Sequence, residues 1–193
     1  QRSVVNFLNG HNMQTAGIWT NESLDGTGTY SYATDAHYMG TKSLKMVKTN
    51  QTGWMTARQD VTLPKGQAYT FSAFFQTLAD TVAQLRVTYK NSDGDEVAVD
   101  SLPQCSKGEW ERMSVSFSLP ADSTSDSATV RLMAGGGAGT VWFDCAQLEA
   151  GEVANRYNML TNGDFTFNCG AHPTGWSKNS SNTNEDMVYA DCT

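Results

Sequence analysis

Residues 112–119 set Met113, Val115, Phe117 and Leu119 against Arg112, Ser114, Ser116 and Ser118, so that every second side chain is apolar. Successive side chains of an extended chain point to opposite sides, so this period of two belongs to a strand with one face in a core and one in water. The pattern recurs. Over 67–77, Tyr69, Phe71, Ala73 and Phe75 alternate with Thr70, Ser72, Phe74 and Gln76. Over 82–90, Leu85, Val87 and Tyr89 alternate with Gln84, Arg86 and Thr88. Shorter runs at 43–47, 53–63, 96–102, 129–134 and 140–148 are bounded by Gly, Pro, Asn, Asp and Ser. Pro64-Lys65-Gly66 marks one turn, and Asp93-Gly94 marks a hairpin. The run Gly135-Gly136-Gly137-Ala138-Gly139 reads as a loop between two strands, and residues 21–41 as long loops with one short strand. Helical spacing is scarce. Many one-faced strands predict an all-β chain, an antiparallel two-sheet β-sandwich.

The 193 residues suffice for one substantial core, and five Trp, seven Tyr and eight Phe argue for folded structure. The formal net charge of -7 disfavours nucleic acid and anionic membrane as partners, since both need a basic footprint. It favours neutral ligands, or cations held by carboxylates. No apolar run approaches the roughly 20 residues of a membrane span, so membrane insertion is not expected. The four cysteines, Cys105, Cys145, Cys169 and Cys192, form no CxxC pair, which removes a zinc ribbon. Cys145 reads as a buried thiol, and Cys169 with Cys192 as a candidate local bridge.

The chain also starts again. Asn158-Met159-Leu160-Thr161-Asn162-Gly163-Asp164-Phe165, with Pro173-Thr174-Gly175-Trp176, echoes Asn6-Phe7-Leu8-Asn9-Gly10-His11-Asn12-Met13 and Gly17-Ile18-Trp19. A period of about 150 residues is far beyond that of a solenoid. It points to a module at 1–157 and the opening segment of a second, truncated module at 158–193. Gln1 is an unusual natural start, which suggests a signal or upstream module removed. Neighbouring modules of the same polypeptide are expected partners.

The segment Thr140-Val141-Trp142-Phe143-Asp144-Cys145-Ala146-Gln147-Leu148-Glu149 resembles the closing strand of jelly-roll carbohydrate-binding modules of families four, nine and twenty-two, in the galactose-binding-like group. Asn162-Gly163-Asp164-Phe165 is similar to the opening of those modules. Gln59 to Leu63 with Gly66 to Ser72 is similar to their central hairpin, and Gly108 to Phe117 to a following strand. Residues 149–158 resemble junctions of tandem modules in large bacterial wall-associated proteins. His11-Asn12 stands in place of an acidic-aromatic pair, and Cys145 in place of a second Asp.

The resemblance implies non-catalytic carbohydrate binding in a secreted or cell-surface bacterial protein, with a cell-wall or host glycan as partner. The alternative is a structural spacer or adhesion module with no small ligand. The resemblance also implies a structural calcium joining the opening turn to the closing strand, near Gly10, Asn12, the carbonyl of Lys42, and Asp144. Against this, Asp144 would merely accept backbone amides of the opening loop. No second His or Cys lies at a transition-metal ligand spacing from His11 in the sequence. Asp93-Gly94-Asp95-Glu96 lacks the bidentate Glu of an EF-hand and reads as a turn.

Sugars are held by aromatic rings under their C–H faces and by polar groups at their hydroxyls. An outward strand face offers both, and a groove of Trp54, Phe74, Gln76, Gln84 and Arg86 is expected. Trp54 is as well read as a core or edge residue. Tyr30, Tyr32 and Tyr38 in the loops offer a loop-tip site instead. Trp19, Trp110 and Trp142 are assigned to the core. Glu109 and Glu111 share a face if both lie on a strand, as a glycosidase pair would need, but they follow a turn where solvated charges are common. No Gly-x-Ser-x-Gly elbow is present and the glycine run lacks a following Lys, so no enzyme is expected. An aromatic strip on one sheet face would favour sugar binding, and an aromatic-free polar face the spacer.

Overall fold

A computed structural model describes residues 5–155, with the backbone of 168–169 and 172–173. The strands are β1 (Thr20–Leu24), β2 (Gly28–Ala33), β3 (Ser43–Lys48), β4 (Trp54–Thr62), β5 (Gln67–Lys90), β6 (Glu96–Asp100), β7 (Glu111–Leu119) and β8 (Ser127–Ala150). Two-residue strands β9 (Asn168–Cys169) and β10 (His172–Pro173) pair with each other. The expected second-module opening at 158–193 and the Cys169–Cys192 bridge lie outside the described residues. Among the described residues no helix is long and apolar enough to cross a membrane.

Strands β5 and β8 are each 24 residues long and antiparallel to one another almost end to end. Each serves two sheets. Residues 128–135 of β8 and 82–89 of β5 lie at the centre of a first sheet, ordered β1-β4-β8-β5-β6. Residues 139–150 of β8 and 67–79 of β5 lie at the centre of a second, ordered β2-β3-β8-β5-β7. The paired strands turn from one sheet into the other at Ala79–Thr81, where the register slips. There the chains approach closely: a Cβ on Gly139 (φ 155°) would sit 2.5 Å from the Leu78 carbonyl oxygen. The glycine run is therefore a bend inside one strand and not the loop expected from its composition. Likewise 67–77 and 82–90 are one strand, and residues 21–41 hold two strands, β1 and β2.

Both sheets turn their apolar sides to one core. Met55, Ala57, Leu85, Val87, Val130 and Leu132 come from the first, and Leu44, Met46, Tyr69, Phe71, Phe75, Phe117 and Phe143 from the second. Tyr69 and Phe117 stack with ring centroids 5.5 Å apart. Tyr30 and Tyr32 on β2 also pack against this core, so two of the three loop-tip tyrosines face inward. The Tyr30 hydroxyl spans the sheets, donating to the Glu22 carbonyl (2.6 Å) and accepting from the Thr56 amide (3.1 Å). The Asp93-Gly94 turn forms as expected, with the Asn91 carboxamide oxygen accepting the Asp93 and Asp95 amides.

The segment before β1 runs along the end of β8. Phe7 N–H donates to the Leu148 carbonyl, and Ala146 N–H to that of His11. The Asn6 side chain donates to the Ala146 carbonyl and accepts the Leu148 amide. Beside it β8 bulges: β5 advances from Ser72 to Phe74 while β8 advances from Gln147 to Asp144, and Cys145 takes φ 49°. An extra residue on one strand re-aims its neighbours, and the side chain so placed is Asp144, on the outer side of the sheet.

Candidate functional site

The sandwich has two outer faces. On the first sheet, register sets Arg58 (β4), Arg131 (β8) and Arg86 (β5) in one row across neighbouring strands. Like charges so placed repel unless matched. Each is matched. Arg131 Nε lies 2.9 Å from Glu22 and Arg58 Nη1 3.0 Å from Asp60. Arg86 holds Asp100 through two bonds of 2.6 and 2.7 Å. Thr129 and Thr88 close the row, donating to Asp60 and accepting from Arg131 respectively. The bond from Arg131 holds the Glu22 carboxyl below its ordinary 4.5, and partial burial opposes this. Trp54 stands at one end of this face, its ring over Gly135, where an added Cβ would lie 2.3 Å from the ring.

The second sheet's outer face differs. Phe74 and Gln76 project from β5, beside Asp144 and Trp142 of β8. The loop 34–42 folds over them. Tyr38 stacks on Phe74, centroids 3.7 Å apart and rings 13° from parallel. Trp110, in the turn before β7, lies 6.0 Å from Tyr38 at a tilt of 55°. Tyr38 is 39% and Leu78 46% exposed, so the cluster meets solvent. Trp142 Nε1 donates to Asp35 (3.0 Å), and Lys45 pairs with Asp35 while resting over the Trp142 ring. The bond from Lys45 holds the Asp35 carboxyl below its usual range.

Asp144 fixes that loop. Its Oδ2 accepts the Tyr38 and Met39 amides, each at 2.9 Å, and its Oδ1 the Cys145 amide at 2.7 Å. Burial pushes this carboxyl up from its ordinary 3.8, and the three amides pull the other way. The remainder of the face is roofed by the chain leaving β8. Thr70 and Ser116 hydroxyls donate to the Gly151 and Glu152 carbonyls. The buried Glu149 carboxylate accepts from Gln147 and from both the backbone and side chain of Asn155. Arg112 donates to the Asn155 carbonyl (2.5 Å) and the Ser72 hydroxyl (2.9 Å), with its guanidinium over Phe74. Burial lowers the Arg112 pKa.

The five residues expected to share a groove therefore divide. Phe74 and Gln76 lie on the second sheet's face; Trp54, Gln84 and Arg86 lie on the first. Parity along β5 is kept, but the strand changes sheets between the two pairs, which puts its outward sides on opposite surfaces. Gln84 is buried and donates to the Ser101 carbonyl (2.8 Å); Gln76 donates to that of Gly108. Tyr38 is the one loop tyrosine at the aromatic cluster. Trp19 is in the core as expected, whereas Trp142 is buried on the outer face and Trp110 only half-buried. Sequence reading did not single out Asp35 or Arg112 as site residues and assigned Trp110 to the core; an aromatic at a turn before a strand was the available signal for Trp110. Glu109 sits in a turn, its N–H bonded to the Ser106 carbonyl, so it does not share a strand face with Glu111.

The residues named for calcium fit the ion poorly. Gly10 O accepts the Met13 amide and Trp19 Nε1. The Asn12 and Lys42 carbonyls both receive Gln14 Nε2, at 2.8 and 3.1 Å. Asp144 is engaged by three amides. Among the described residues no group of three or more His, Cys, Asp or Glu is placed to hold a metal ion. Burial lowers the His11 pKa.

A model of the carbohydrate binding domain family CBM_4_9 matches residues 13–139. The tRNA(Glu)-specific nuclease WapA of Bacillus subtilis subsp. natto (strain BEST195) is 28% identical over 163 residues, 77% of this chain and 7% of that protein. The tRNA nuclease WapA of Bacillus subtilis (strain 168) is 28% identical over 140 residues, 66% and 6%. This chain thus spans less than a tenth of the length of these relatives. Among solved structures, a xylan-binding domain from CBM 22 superposes with TM-score 0.60 at 16% identity, covering 78% of this chain and 98% of that one. The CBM22-1 xylan-binding domain of Paenibacillus barcinonensis Xyn10C gives 0.59 at 16%, covering 75% and 94%. TmCBM61 in complex with β-1,4-galactotriose gives 0.56 at 16%, covering 76% and 99%. The likeness to these structures is one of fold, a carbohydrate-binding-module β-sandwich.

Proposed function

The chain belongs to the CBM_4_9 carbohydrate binding domain family, and from that premise we propose that it holds a glycan, without making or breaking a bond, on the outer face of its second sheet. One observation carries the choice of face: the Tyr38–Phe74 stack with Trp110 beside it, open to solvent on the outer side of the second sheet. A pyranose laid on the Tyr38 ring covers its C–H face with aromatic carbon. The polar groups beside the cluster, Gln76, Lys45 and Asp35, are already bonded within the protein, so the ring carries the contact. Asp144 acts through the loop, by setting where Tyr38 stands. The ring needs no ordering on binding because Phe74 already supports it, which limits the entropy lost.

The expected setting is a secreted or cell-surface bacterial protein with neighbouring modules on the same polypeptide, supported by the junction-like sequence at 149–158. Nucleic acid is not an expected ligand of this module. Its charge of -7 opposes it, and the whole relatives named as tRNA nucleases are more than ten times longer. A spacer or adhesion role is the second reading, favoured by the matched arginines of the first sheet.

A glycan array that includes xylan and β-1,4-galactan tests the proposal. Selective binding by the 193-residue protein, lost in Tyr38→Ala and Trp110→Ala, is the expected result. No binding to any glycan by well-folded protein would favour the spacer.

A further inference from the structure

The carbonyl of Lys42, expected to hold a cation, and that of Asn12, another residue named for the ion, converge on one atom, and that atom belongs to Gln14. A primary carboxamide has two N–H donors and one oxygen with two lone pairs. All four are used here. Nε2 gives one proton to Asn12 O and one to Lys42 O. Oε1 accepts the Thr41 amide (3.2 Å) and the Thr41 hydroxyl (2.9 Å). The backbone is shaped to receive it. Gly40 has φ 69°, and a Cβ there would stand 2.6 Å from Gln14 Nε2. The Asn12 side chain in turn accepts the Gln14 amide at 3.3 Å, fixing where the side chain starts.

We propose that the Gln14 carboxamide does in this protein what a structural cation would do, tying the opening turn to the loop before β3 so that the module's stability is independent of calcium. A calcium ion takes six to eight oxygen ligands, several of them carboxylate. Here the two carbonyls already face a donor, and the Asp144 carboxylate is spent on the Tyr38, Met39 and Cys145 amides. A neutral donor needs no counter-charge, in keeping with His11-Asn12 standing where the resemblance places an acidic-aromatic pair. The two clamps act on one loop. Gln14 holds Thr41 and Lys42, and Asp144 holds Tyr38 and Met39, so that loop is fixed on both sides of Gly40.

The test is a thermal melt of the 193-residue protein in EDTA, in millimolar calcium and in millimolar magnesium. It involves no glycan, so its failure leaves the binding reading untouched. The wild-type Tm is expected to be the same in all three. Gln14→Glu turns two donors into acceptors, sets oxygen against the Asn12 and Lys42 carbonyls, and assembles a hard-oxygen cradle. Its Tm in EDTA is expected about 4–8 °C below wild type, and calcium is expected to raise it, since an ion that binds only the folded state stabilises that state. Gln14→Met keeps the volume without the polar head and is expected to lose a similar amount in every buffer. A wild-type Tm raised by calcium but not by magnesium would overturn the proposal. So would a Gln14→Glu protein whose Tm calcium does not move, or a Gln14→Met protein that melts with wild type.

Discussion

The two outer faces of this sandwich are made by the same two long strands, yet they are chemically opposite. Where β5 and β8 cross the first sheet, their outward side chains include Gln84, Arg86, Thr88, Thr129 and Arg131, with Met133 buried beside Gln84. Those guanidinium groups are matched by Glu22 and Asp100, with Arg58 and Asp60 beside them. Where the same strands cross the second sheet, the outward residues include Phe74, Gln76, Trp142 and Asp144, covered in part by Tyr38. A matched charge has little left to offer a neutral ligand, because binding must first break a bond already made. An aromatic ring presented to water gives up only hydration. The contrast shows that in a two-layer β fold the binding face is decided less by the strands than by which loop folds over them. Here loop 34–42 and the chain leaving β8 lie on the second sheet alone.

The largest way to break the contrast is to remove the anchor of that loop. Asp144→Ala leaves three buried or half-buried amides without an acceptor and is expected to cost about 3 kcal/mol, lowering Tm by about 6–12 °C. A melt within two degrees of wild type would show that the loop is held by other contacts. On the opposite face, Glu22→Gln is expected to cost about 1 kcal/mol at neutral pH, since the pair with Arg131 is partly exposed. The Glu22 pKa is lowered in the folded protein, so its contribution is full above the ordinary 4.5 and fades as pH falls below that through the lowered value. Denaturant midpoints of wild type and Glu22→Gln should therefore converge on acidification; a gap that persists would mean the carboxylate charge is not what stabilises. The smallest effect belongs to Asp100→Asn on edge strand β6. Its pair with Arg86 is exposed enough that about 0.5 kcal/mol or less is expected, shrinking with added salt. Neither first-face variant should alter glycan binding.

The strands, the hairpin at Asp93-Gly94 and the inward set Met113, Val115, Phe117 and Leu119 were legible in the sequence, because each depends on side chains close along the chain. Continuity was not. Gly135 to Gly139 carries the composition of a loop, and only the pairing of Ala79 with Gly139 across the bend shows that the strand runs on. Edge strand β1 is polar and mostly exposed, so it lacks the alternation that marked the others, and β2 carries it only as Tyr30 and Tyr32 against Thr29 and Ser31 within a Gly-, Thr- and Asp-rich stretch. The groove was half legible. Period-two parity says that Phe74 and Gln84 both point outward, but carries no information on which sheet each belongs to. Tyr38 was seen as a loop tyrosine, whereas its support from Asp144 spans 106 residues of sequence and follows no local rule. Gln14 carries no local signal, because its role depends on the close approach that Gly40 allows and on a carbonyl 28 residues away.

The account stands on the choice of face, and a calorimetric titration tests it most directly. The glycan selected on the array is titrated into wild type, Tyr38→Ala and Trp54→Ala under one buffer. Loss of the stacking ring is expected to raise Kd about tenfold or more, while Trp54→Ala, one sheet away, leaves Kd within twofold. Binding abolished by Trp54→Ala and unchanged in Tyr38→Ala would place the site on the charged face and contradict the account.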